Sequence, residues 1–333
     1  MSKIVCFGEA LIDLLAQPPA TPDTPRAFLQ YAGGAPANVA VAAARLGADA
    51  HFAGMLGRDM FGDFLAESLA SAGVKIDCIV RTAEAKTALA FVALDAAGER
   101  SFSFYRPPAA DLLFRAVHFP DRAFIGTGSF HVCSNSLTEA AIADTTFNGM
   151  LRAREAGALV SLDLNLRPAL WPQDVDPLPR LWQALALADL VKLSQEELDY
   201  LAAPLGGGRD GETLVLARLF EGHARLVIVT DGAAPVRWFS RADRGQVEGF
   251  KVTATDTTAA GDAFVGGLLH RLGEVGGDGA GFAPFCADAP AIEDAIRFGA
   301  ATGALAVTRK GAFAAMPTLA EVQQLLQEQF AHA

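Results

Sequence analysis

The sequence predicts an α/β protein: a three-layer α/β/α sandwich around a mostly parallel sheet, with a small antiparallel β lid. The first observation is that apolar strand patterns alternate with helical patterns after Phe124. Repeated βα units of this kind form parallel sheets covered on both faces. The second observation is that residues of about 74–107 alternate or run apolar around the turn "DAAGER", which indicates an antiparallel sheet. With 333 residues, 51% of them hydrophobic, the chain can bury a large core.

The N-terminal elements follow the same logic. The stretch "KIVCFGEALIDLLA" predicts a buried strand that ends in acids, and a Pro-rich loop follows it. Gly33 and Gly34 then predict a turn that leads into the helix "PANVAVAAARLG". Pro36 lies in the first helical turn, where its missing N–H is tolerated, and Gly47 ends the helix. Towards the C-terminus, the glycine-rich residues 273–285 predict a flexible loop.

Polar residues follow several of the predicted strands. Ligands of parallel sheets bind beyond the carboxyl ends of the strands, so these residues are expected to gather on one rim. This rim is the expected location of a functional site. Its residues are Asp13, Asp163, Asn165, Arg167, Ser194, Glu197 and Thr230.

Composition and motifs exclude several classes of protein. The formal net charge of −11 argues against a nucleic-acid binder, which normally presents a basic face. The sequence predicts no membrane segment, because its longest uncharged stretch is interrupted by glycine and proline. It contains no G-x-x-x-x-G-K-[ST] loop and no G-x-G-x-x-G after the first strand, which excludes a Walker-type loop and argues against a Rossmann dehydrogenase. Four scattered cysteines without a C-x-x-C pair support neither disulfides nor zinc and fit a reducing cytosol.

The stretch "DTTAAGDAFVGGLL", Asp256 to Leu269, carries the clearest chemical signal. Its small residues allow a tight turn that exposes backbone amides at a helix start, where the helix dipole favours anions. A carboxylate at Asp262 would be an unfavourable neighbour for an anion bound there. Its presence is explained if it has a task, such as accepting a proton from an attacking hydroxyl. The alternative is that Asp262 only complements the helix N-terminus, and the turn by itself leaves both interpretations open.

Together with "GGAPANVAVAAARLG", this stretch resembles the two signature regions of the ribokinase-like (PfkB) carbohydrate kinases. The motifs "GRDMFGDFL", "VKLSQEEL", "VIVTDG" and "ALAVTRKGA" also follow the order of that family, so the similarity covers nearly the whole chain. The resemblance implies one ribokinase-like kinase domain over residues 1–333, with lid strands contributed by about 14–33 and 74–107.

The resemblance implies transfer of the γ-phosphoryl group of ATP to a sugar hydroxyl. Asp262 would be the base, and the amides of Ala259, Ala260 and Gly261 would form an anion hole. Phosphoryl transfer needs positioning and charge neutralisation more than covalent chemistry, so backbone amides, Mg²⁺ and a cationic side chain suffice. Arg167, in "DLNLR" at a predicted strand end, is the candidate cation.

The resemblance also implies a sugar site. A carboxylate and an amide can hold neighbouring hydroxyls, while paired glycines allow close approach and resemble the family's hinge. Two of the candidates, Arg106 in "FYR" and Asn135 in "CSNSL", could instead serve only in lid packing or structural capping. The candidate residues are Asp13, Gly33, Gly34, Asn38, Arg106 and Asn135, together with Asp262.

On the nucleotide side, Glu197 matches the last residue of the family's Asn-x-x-Glu motif, which helps to organise Mg²⁺ and phosphate. The first position of that motif is Ser194 in this chain, and its hydroxyl can still donate a hydrogen bond. The remaining candidates for contact with the nucleotide are Thr230, Gly232, Gly261 and Thr302.

Many family members bind a monovalent cation beside the anion hole through main-chain carbonyls. The resemblance therefore implies a K⁺ site, although a side-chain hydroxyl that helps in the family is replaced by Ala315. The matching positions are Asp256, Thr258, Ala306, Arg309 and Gly311.

These features predict a cytoplasmic, ATP-dependent sugar kinase. The stretches "TALAFVALDAAGERSFSFYR" and "DLNLRPALWP" most resemble bacterial fructokinases, which implies conversion of D-fructose to fructose 6-phosphate. The alternatives are a 2-keto-3-deoxygluconate kinase or a ribokinase within the family, and a non-catalytic sugar sensor from another class. An exposed lid face could pair with a second copy, so a homodimer is expected, with neither nucleic acid nor membrane as a partner.

Overall fold

The computed structural model describes residues 2–17, 21, 25, 27–94 and 100–331. The predicted turn "DAAGER" lies outside these residues except for its last position. The strands are β1 (Lys3–Phe7), β2 (Leu11–Gln17), β3 (Ala27–Gly33), β4 (Asp49–Gly57), β5 (Lys75–Thr82), β6 (Leu89–Leu94), β7 (Arg100–Tyr105), β8 (Thr127–Cys133), β9 (Leu159–Asp163), β10 (Leu190–Ser194), β11 (Leu226–Thr230), β12 (Val236–Ser240) and β13 (Arg244–Val247).

Helices connect these strands and cover them. They are α1 (Ala35–Arg45), α2 (Met60–Ser71), α3 (Ala140–Glu155), α4 (Leu178–Leu187), α5 (Gln195–Ala202), α6 (Gly208–Glu221), α7 (Ala260–Glu274), α8 (Phe282–Phe285), α9 (Ala289–Ala306) and α10 (Leu319–Ala331). In the ranges that the structure describes, none of them is long and apolar enough to cross a membrane.

The large sheet has the strand order β13-β12-β11-β10-β9-β8-β1-β4-β5. It is parallel from β11 to β5, and β12 and β13 add an antiparallel edge. Apolar side chains of α1, α7 and α9 pack on one face, and those of α3, α4, α5 and α6 pack on the other. Because both faces are covered, the central strands are almost entirely buried. The predicted three-layer α/β/α architecture is confirmed.

A second, smaller sheet, the lid sheet, has the order β3-β2-β6-β7. Two antiparallel pairs, β3 with β2 and β6 with β7, are joined by a parallel pairing of β2 with β6. The predicted small lid is therefore present, and its first segment begins at Leu11, three residues earlier than expected.

The predicted lid segment 74–107 is wrong in one part, because its first strand belongs to the large sheet. β5 follows helix α2 and pairs in parallel with β4 at the edge of that sheet. A helical crossover returns the chain in the same direction, so β5 extends the parallel sheet. Its first three residues are exposed at the edge, and this half-buried pattern does not distinguish it from a lid strand.

The segment 273–285, predicted as a flexible loop, instead contains short helical turns. Phe282 and Phe285 of α8 are buried in the core beneath α7 and α9, which holds the segment in place. The many glycines of this segment suggested a loop, although its two phenylalanines anchor it in the core.

Two helix starts converge at the carboxyl edge of the large sheet. α1 begins directly after Gly34, and α7 begins within the stretch that carries the clearest chemical signal. The two helices pack closely, since a β-carbon at Gly266 of α7 would lie 2.5 Å from the β-carbon of Ala42 on α1. This packing places Asn38, in the first turn of α1, beside Asp262, in the first turn of α7.

Candidate active site

Asp262 lies in the first turn of α7, and each oxygen of its carboxylate accepts a hydrogen bond. Asn38 Nδ2 donates to Oδ2 over 2.7 Å, and Asn165 Nδ2 donates to Oδ1 over 3.0 Å. Asn165 follows β9 with a φ of 42°, a left-handed conformation that asparagine tolerates better than most residues. The two amides come from separate elements and orient the carboxylate. Asn165, which the sequence placed on the rim without a role, is thus part of the site.

The surroundings of Asp262 raise its pKa to about 7. Burial is the main cause, because a carboxylate that leaves water loses solvation energy. The hydrogen bond from Asn38 lowers the pKa, and the negative charge of Asp163 raises it. The positive charges of Arg167 and Lys192 lower it. A carboxyl group with this pKa is deprotonated in part at neutral pH, which suits a general base.

The turn before Asp262 directs backbone amides towards one region. Ala259 is left-handed, with φ 59° and ψ 16°, and the right-handed helix begins at Ala260. A left-handed residue beside right-handed ones makes successive N–H groups converge into an anion-binding nest. Within the described ranges, no main-chain carbonyl accepts a hydrogen bond from the amides of Gly261 and Asp262, and Ala260 donates only weakly, over 3.4 Å. The predicted anion hole therefore has suitable backbone geometry.

A buried ion pair lies under this turn. Lys192 Nζ is 3.1 Å from Oδ1 of Asp163 and 3.2 Å from its Oδ2. Burial raises the pKa of the Asp163 carboxyl, and the adjacent ammonium opposes that shift. Sequence reasoning placed Asp163 on the rim and gave Lys192 no role. The available signal was a lysine inside the buried strand "VKLS", because a buried ammonium requires a partner.

The loop that carries Arg167 is fixed by Glu197. Glu197 Oε1 accepts a hydrogen bond from the Leu166 amide, and Oε2 accepts one from the Ser194 amide, each over 2.7 Å. Ser194 Oγ accepts from the Glu197 amide and caps α5. Both carboxylate oxygens of Glu197 thus accept hydrogen bonds from backbone amides. This arrangement fits the predicted indirect role towards Mg²⁺, in which Glu197 is not itself a ligand. Arg167 is exposed, and its charge reaches Asp262, whose pKa it lowers.

The start of α1 approaches the loop after β1 closely. Gly34 has a φ of 106°, and a β-carbon there would lie 2.5 Å from the Glu9 carbonyl oxygen. A β-carbon at Gly33 would lie 2.3 Å from Asp13 Oδ2. The backbone amide of Asn38 donates a hydrogen bond to the Gly34 carbonyl over 2.8 Å. The structure therefore brings these four predicted sugar-site residues together, and neither glycine position has room for a side chain.

Glu9 is a buried residue of the same region that sequence reasoning missed, although it follows the first strand directly. Its Oε1 accepts hydrogen bonds from the Ala35 amide over 3.2 Å and from Asn135 Nδ2 over 2.9 Å. Burial raises the pKa of Glu9, and the positive charge of Arg106 opposes the shift. Arg106 is bound to Asp111, whose Oδ2 lies 2.8 Å from Nε and 2.6 Å from Nη2. The guanidinium predicted to meet the sugar is thus engaged by a carboxylate of the protein.

A cleft of about 350 Å³ opens beside the anion-hole turn and beyond the end of β11. Thr230 and Gly232 line it, as expected for the nucleotide side. Thr302 is a correction: it is fully buried, its Oγ1 donates to the Phe298 carbonyl over 2.9 Å, and it packs against Gly267 of α7. Helical periodicity explains this, since other residues of α9 form the face towards the cleft. The lining residues on the turn and on α9 are Thr257, Ala260, Gly261, Ala300, Gly303 and Ala304.

The five positions predicted for a monovalent cation lie on two adjacent segments. Asp256 joins the segments, because its Oδ1 accepts from the Thr258 amide over 2.8 Å and its Oδ2 accepts from the Gly311 amide over 3.1 Å. On the second segment the Ala306 carbonyl accepts from the Arg309 amide over 3.3 Å. The two segments that carry the predicted positions are thus held side by side, the first of them directly before the anion-hole turn.

The chain matches the family model described as pfkB family carbohydrate kinase over residues 1–319. It is 40% identical over 332 residues to fructokinase-1 of Oryza sativa subsp. japonica, with 97% of each chain covered. The crystal structure of a Xylella fastidiosa fructokinase with bound ATP is 60% identical, with a TM-score of 0.94 and 98% of each chain covered. A double mutant of a Vibrio cholerae fructokinase, solved with fructose, ADP and potassium ion, is 33% identical, with a TM-score of 0.84 and 98% of each chain covered. The resemblance inferred from the motifs is confirmed, and the chain belongs to the pfkB family of carbohydrate kinases.

Proposed function

We propose that this carbohydrate kinase transfers the γ-phosphoryl group of ATP to the 6-hydroxyl of D-fructose. The observation that carries the proposal is the setting of Asp262: a buried carboxylate held between two amides, directly after a turn of converging N–H groups. The similar fructokinases of Xylella and Vibrio, solved with ATP or with fructose and ADP, support the choice of both substrates.

In the proposed mechanism, Asp262 accepts the proton of the sugar hydroxyl as that oxygen attacks the γ-phosphorus. The bond between the γ-phosphorus and the β,γ-bridging oxygen breaks in the same transfer, and ADP is the leaving group. The amides at the start of α7 hold the phosphoryl oxygens, and because their dipoles are already oriented, little reorganisation accompanies the shift of charge. Arg167 adds a cation from the solvent side. The lid sheet excludes water when the sugar is bound, which limits hydrolysis of ATP.

The sugar site is proposed at the carboxyl ends of β1 and β8 and the start of α1. Three buried atoms there, Glu9 Oε2, Asn38 Oδ1 and Asn135 Oδ1, have no hydrogen-bond partner among the described residues. Buried polar atoms cost free energy unless they are paired, and sugar hydroxyls can donate to such acceptors. Asp13 adds a carboxylate from lid strand β2. This set of groups suits a ligand with several hydroxyls.

Mg²⁺ and K⁺ are the proposed ions. Mg²⁺ that accompanies a nucleotide takes few protein ligands, so Glu197 would act by holding the loop ends at Leu166 and Ser194. When bound, Mg²⁺ supplies neutralisation of the phosphate oxygens. K⁺ would be held by carbonyls of the two segments that Asp256 joins, and the potassium ion in the Vibrio fructokinase supports this proposal.

We further propose that the enzyme is a cytoplasmic homodimer. Its four cysteines are buried and form no disulfide, which fits a reducing compartment. On the lid sheet, Phe91 contacts both Phe28 and Tyr105, so the three rings form a continuous row. Phe28 is 44% exposed and Tyr105 is 67% exposed. An exposed aromatic row on a sheet face suits contact with a second copy of the chain.

A coupled assay of ADP release with fructose, ribose, 2-keto-3-deoxygluconate and adenosine tests the proposed reaction. Fructose should give a kcat/KM at least roughly tenfold above that of the other three acceptors. A higher value for ribose or 2-keto-3-deoxygluconate would replace the substrate and keep the kinase. If none of the four acceptors supports ADP release, the non-catalytic sugar sensor is favoured.

A further inference from the structure

Directly beneath the anion-hole turn lies the buried pair of Lys192 and Asp163. Lys192 is on β10, Asp163 ends β9, and the two are direct partners in the parallel pairing of these strands. Their side chains are 9% and 1% exposed. Both backbones are thus held by the centre of the large sheet, which gives the ammonium a fixed position.

The first turn of α7 rests on this ammonium. A β-carbon at Gly261 would lie 3.1 Å from Lys192 Nζ and 4.0 Å from Asp163 Oδ2, so a larger side chain would press on the pair. Asp163 offsets part of the charge of the ammonium, but Nζ is nearer to the turn than the carboxylate, so the pair presents its positive end to the turn. At this depth the field of the pair is only weakly screened by solvent and salt. The amides of the turn and the ammonium therefore contribute positive potential to the same region.

We propose that Lys192 is a positioning residue for phosphoryl transfer, which supports the first turn of α7 and places a fixed positive charge behind the amides that hold the transferred group. Asp163 keeps the ammonium in place and offsets the cost of burying it. This proposal rests on the proposed kinase function. Lys192 would thus be a second cation beside the exposed Arg167, and its buried position on β10 keeps it in place whether or not a nucleotide is bound.

Variants that remove the charges separately and together test the proposal. Lys192→Met should lower kcat roughly 100-fold, with the KM for fructose within about twofold of wild type. The double variant Lys192→Met/Asp163→Asn leaves no unpaired buried charge, so its Tm should lie within about 3 °C of wild type while kcat stays low. The matched control is Arg154→Met, which breaks the 3.0 Å pair between Arg154 of α3 and Asp189, the residue directly before β10 at the end of that strand remote from Lys192. It should lower Tm and leave kcat unchanged.

Asp163→Asn is tested by the pH dependence of kcat, which a mere loss of packing would not shift. The charged groups acting on Asp262 are Asp163 of β9, Lys192 of β10 and Arg167 of the following loop, while α1 contributes the neutral Asn38. Without the negative charge at position 163, Asp262 loses its proton more easily. The acidic limb of the kcat profile should therefore move to lower pH by about half a unit.

Three results would overturn the proposal. They are a kcat within about threefold of wild type for Lys192→Met, full recovery of kcat in the double variant, and an unshifted acidic limb for Asp163→Asn. Lys192→Arg keeps the charge and should retain more activity than Lys192→Met. If Lys192→Met does not fold, the double variant and Asp163→Asn decide the question. Failure of the proposed function would look different, because the wild-type enzyme would then not phosphorylate fructose.

Discussion

The carboxylate of Asp262 is both buried and firmly hydrogen-bonded. Burial raises its pKa to about 7, and the donors Asn38 and Asn165 hold it in one orientation. Because both donors are neutral amides, they orient the group while leaving much of its basicity, whereas a direct ion pair with a cation would lower the pKa strongly. A single residue thus has the position, the orientation and the proton affinity that a general base needs.

Asp262→Asn should lower kcat by roughly 10³-fold while binding of fructose and ATP persists. In the wild-type enzyme, kcat should fall about tenfold for each pH unit below the pKa of about 7, because only the deprotonated carboxylate accepts a proton. Calorimetric titration measures the binding, and steady-state rates across about pH 5 to 9 measure the profile. Near-normal turnover by the variant would remove Asp262 from the mechanism.

At the scale of elements, the site is assembled from two helix N-termini. α1 contributes Asn38 and follows lid strand β3 through Gly33 and Gly34, and α7 contributes Asp262 and the anion-hole turn. The close packing of the two helices at Gly266 makes them one unit. Lid strand β3 is therefore joined directly to the helix whose Asn38 orients the Asp262 carboxylate.

Gly34→Ala should reduce kcat/KM for fructose by at least about tenfold and destabilise the protein by about 2–4 kcal/mol. The new β-carbon would be strained at φ 106° and would lie 2.5 Å from the Glu9 carbonyl oxygen. Gly47→Ala is the matched control, because its φ is 97° but nothing lies within 4 Å of its β-carbon. It should cost about 1–2 kcal/mol and leave activity intact. Urea unfolding and sugar kinetics measure both variants, and equal effects would contradict a role for the close contact.

At the scale of the whole molecule, the lid sheet has two faces with different tasks. Leu14 pairs directly with Phe91, so the aromatic row shares the face of Leu14, and the adjacent Asp13 points to the opposite face. Asp13 lies against Gly33, at the end of β3, on that second face. One face of the lid sheet thus lies towards the proposed sugar site, and the other presents exposed aromatic rings.

Phe28→Glu/Tyr105→Glu should convert the proposed dimer into a monomer, because charge on the aromatic row opposes burial against a second copy. Sedimentation equilibrium should show the mass halved. Ile125→Glu is the control: Ile125 is 71% exposed and lies outside the lid sheet, so the dimer should persist. A wild-type protein that sediments as a monomer would contradict the proposal.

Much of the fold and part of the site could be predicted from the sequence. The alternation of strand and helix patterns and the placement of Gly33, Gly34 and Pro36 are local signals, so the α/β class and the start of α1 were correct. Strand ends are local signals too, which is why Asn165 and Asp163 were placed on the functional rim. Family resemblance added residue roles that local physics left open, such as the choice between base and helix cap for Asp262.

What the sequence by itself determined is the α/β class, the alternation of strands and helices and many of the residues that end at the carboxyl edge, because periodicity and turn chemistry act over a few neighbouring residues. Only the tertiary structure decided which sheet takes β5, which face of α9 meets the cleft, and which buried charges meet. Lys192 pairs with Asp163, and Glu9 lies near Arg106, across long separations in the chain. The energy of such pairs depends on distance and burial in the folded state, and neither quantity is written in a local pattern.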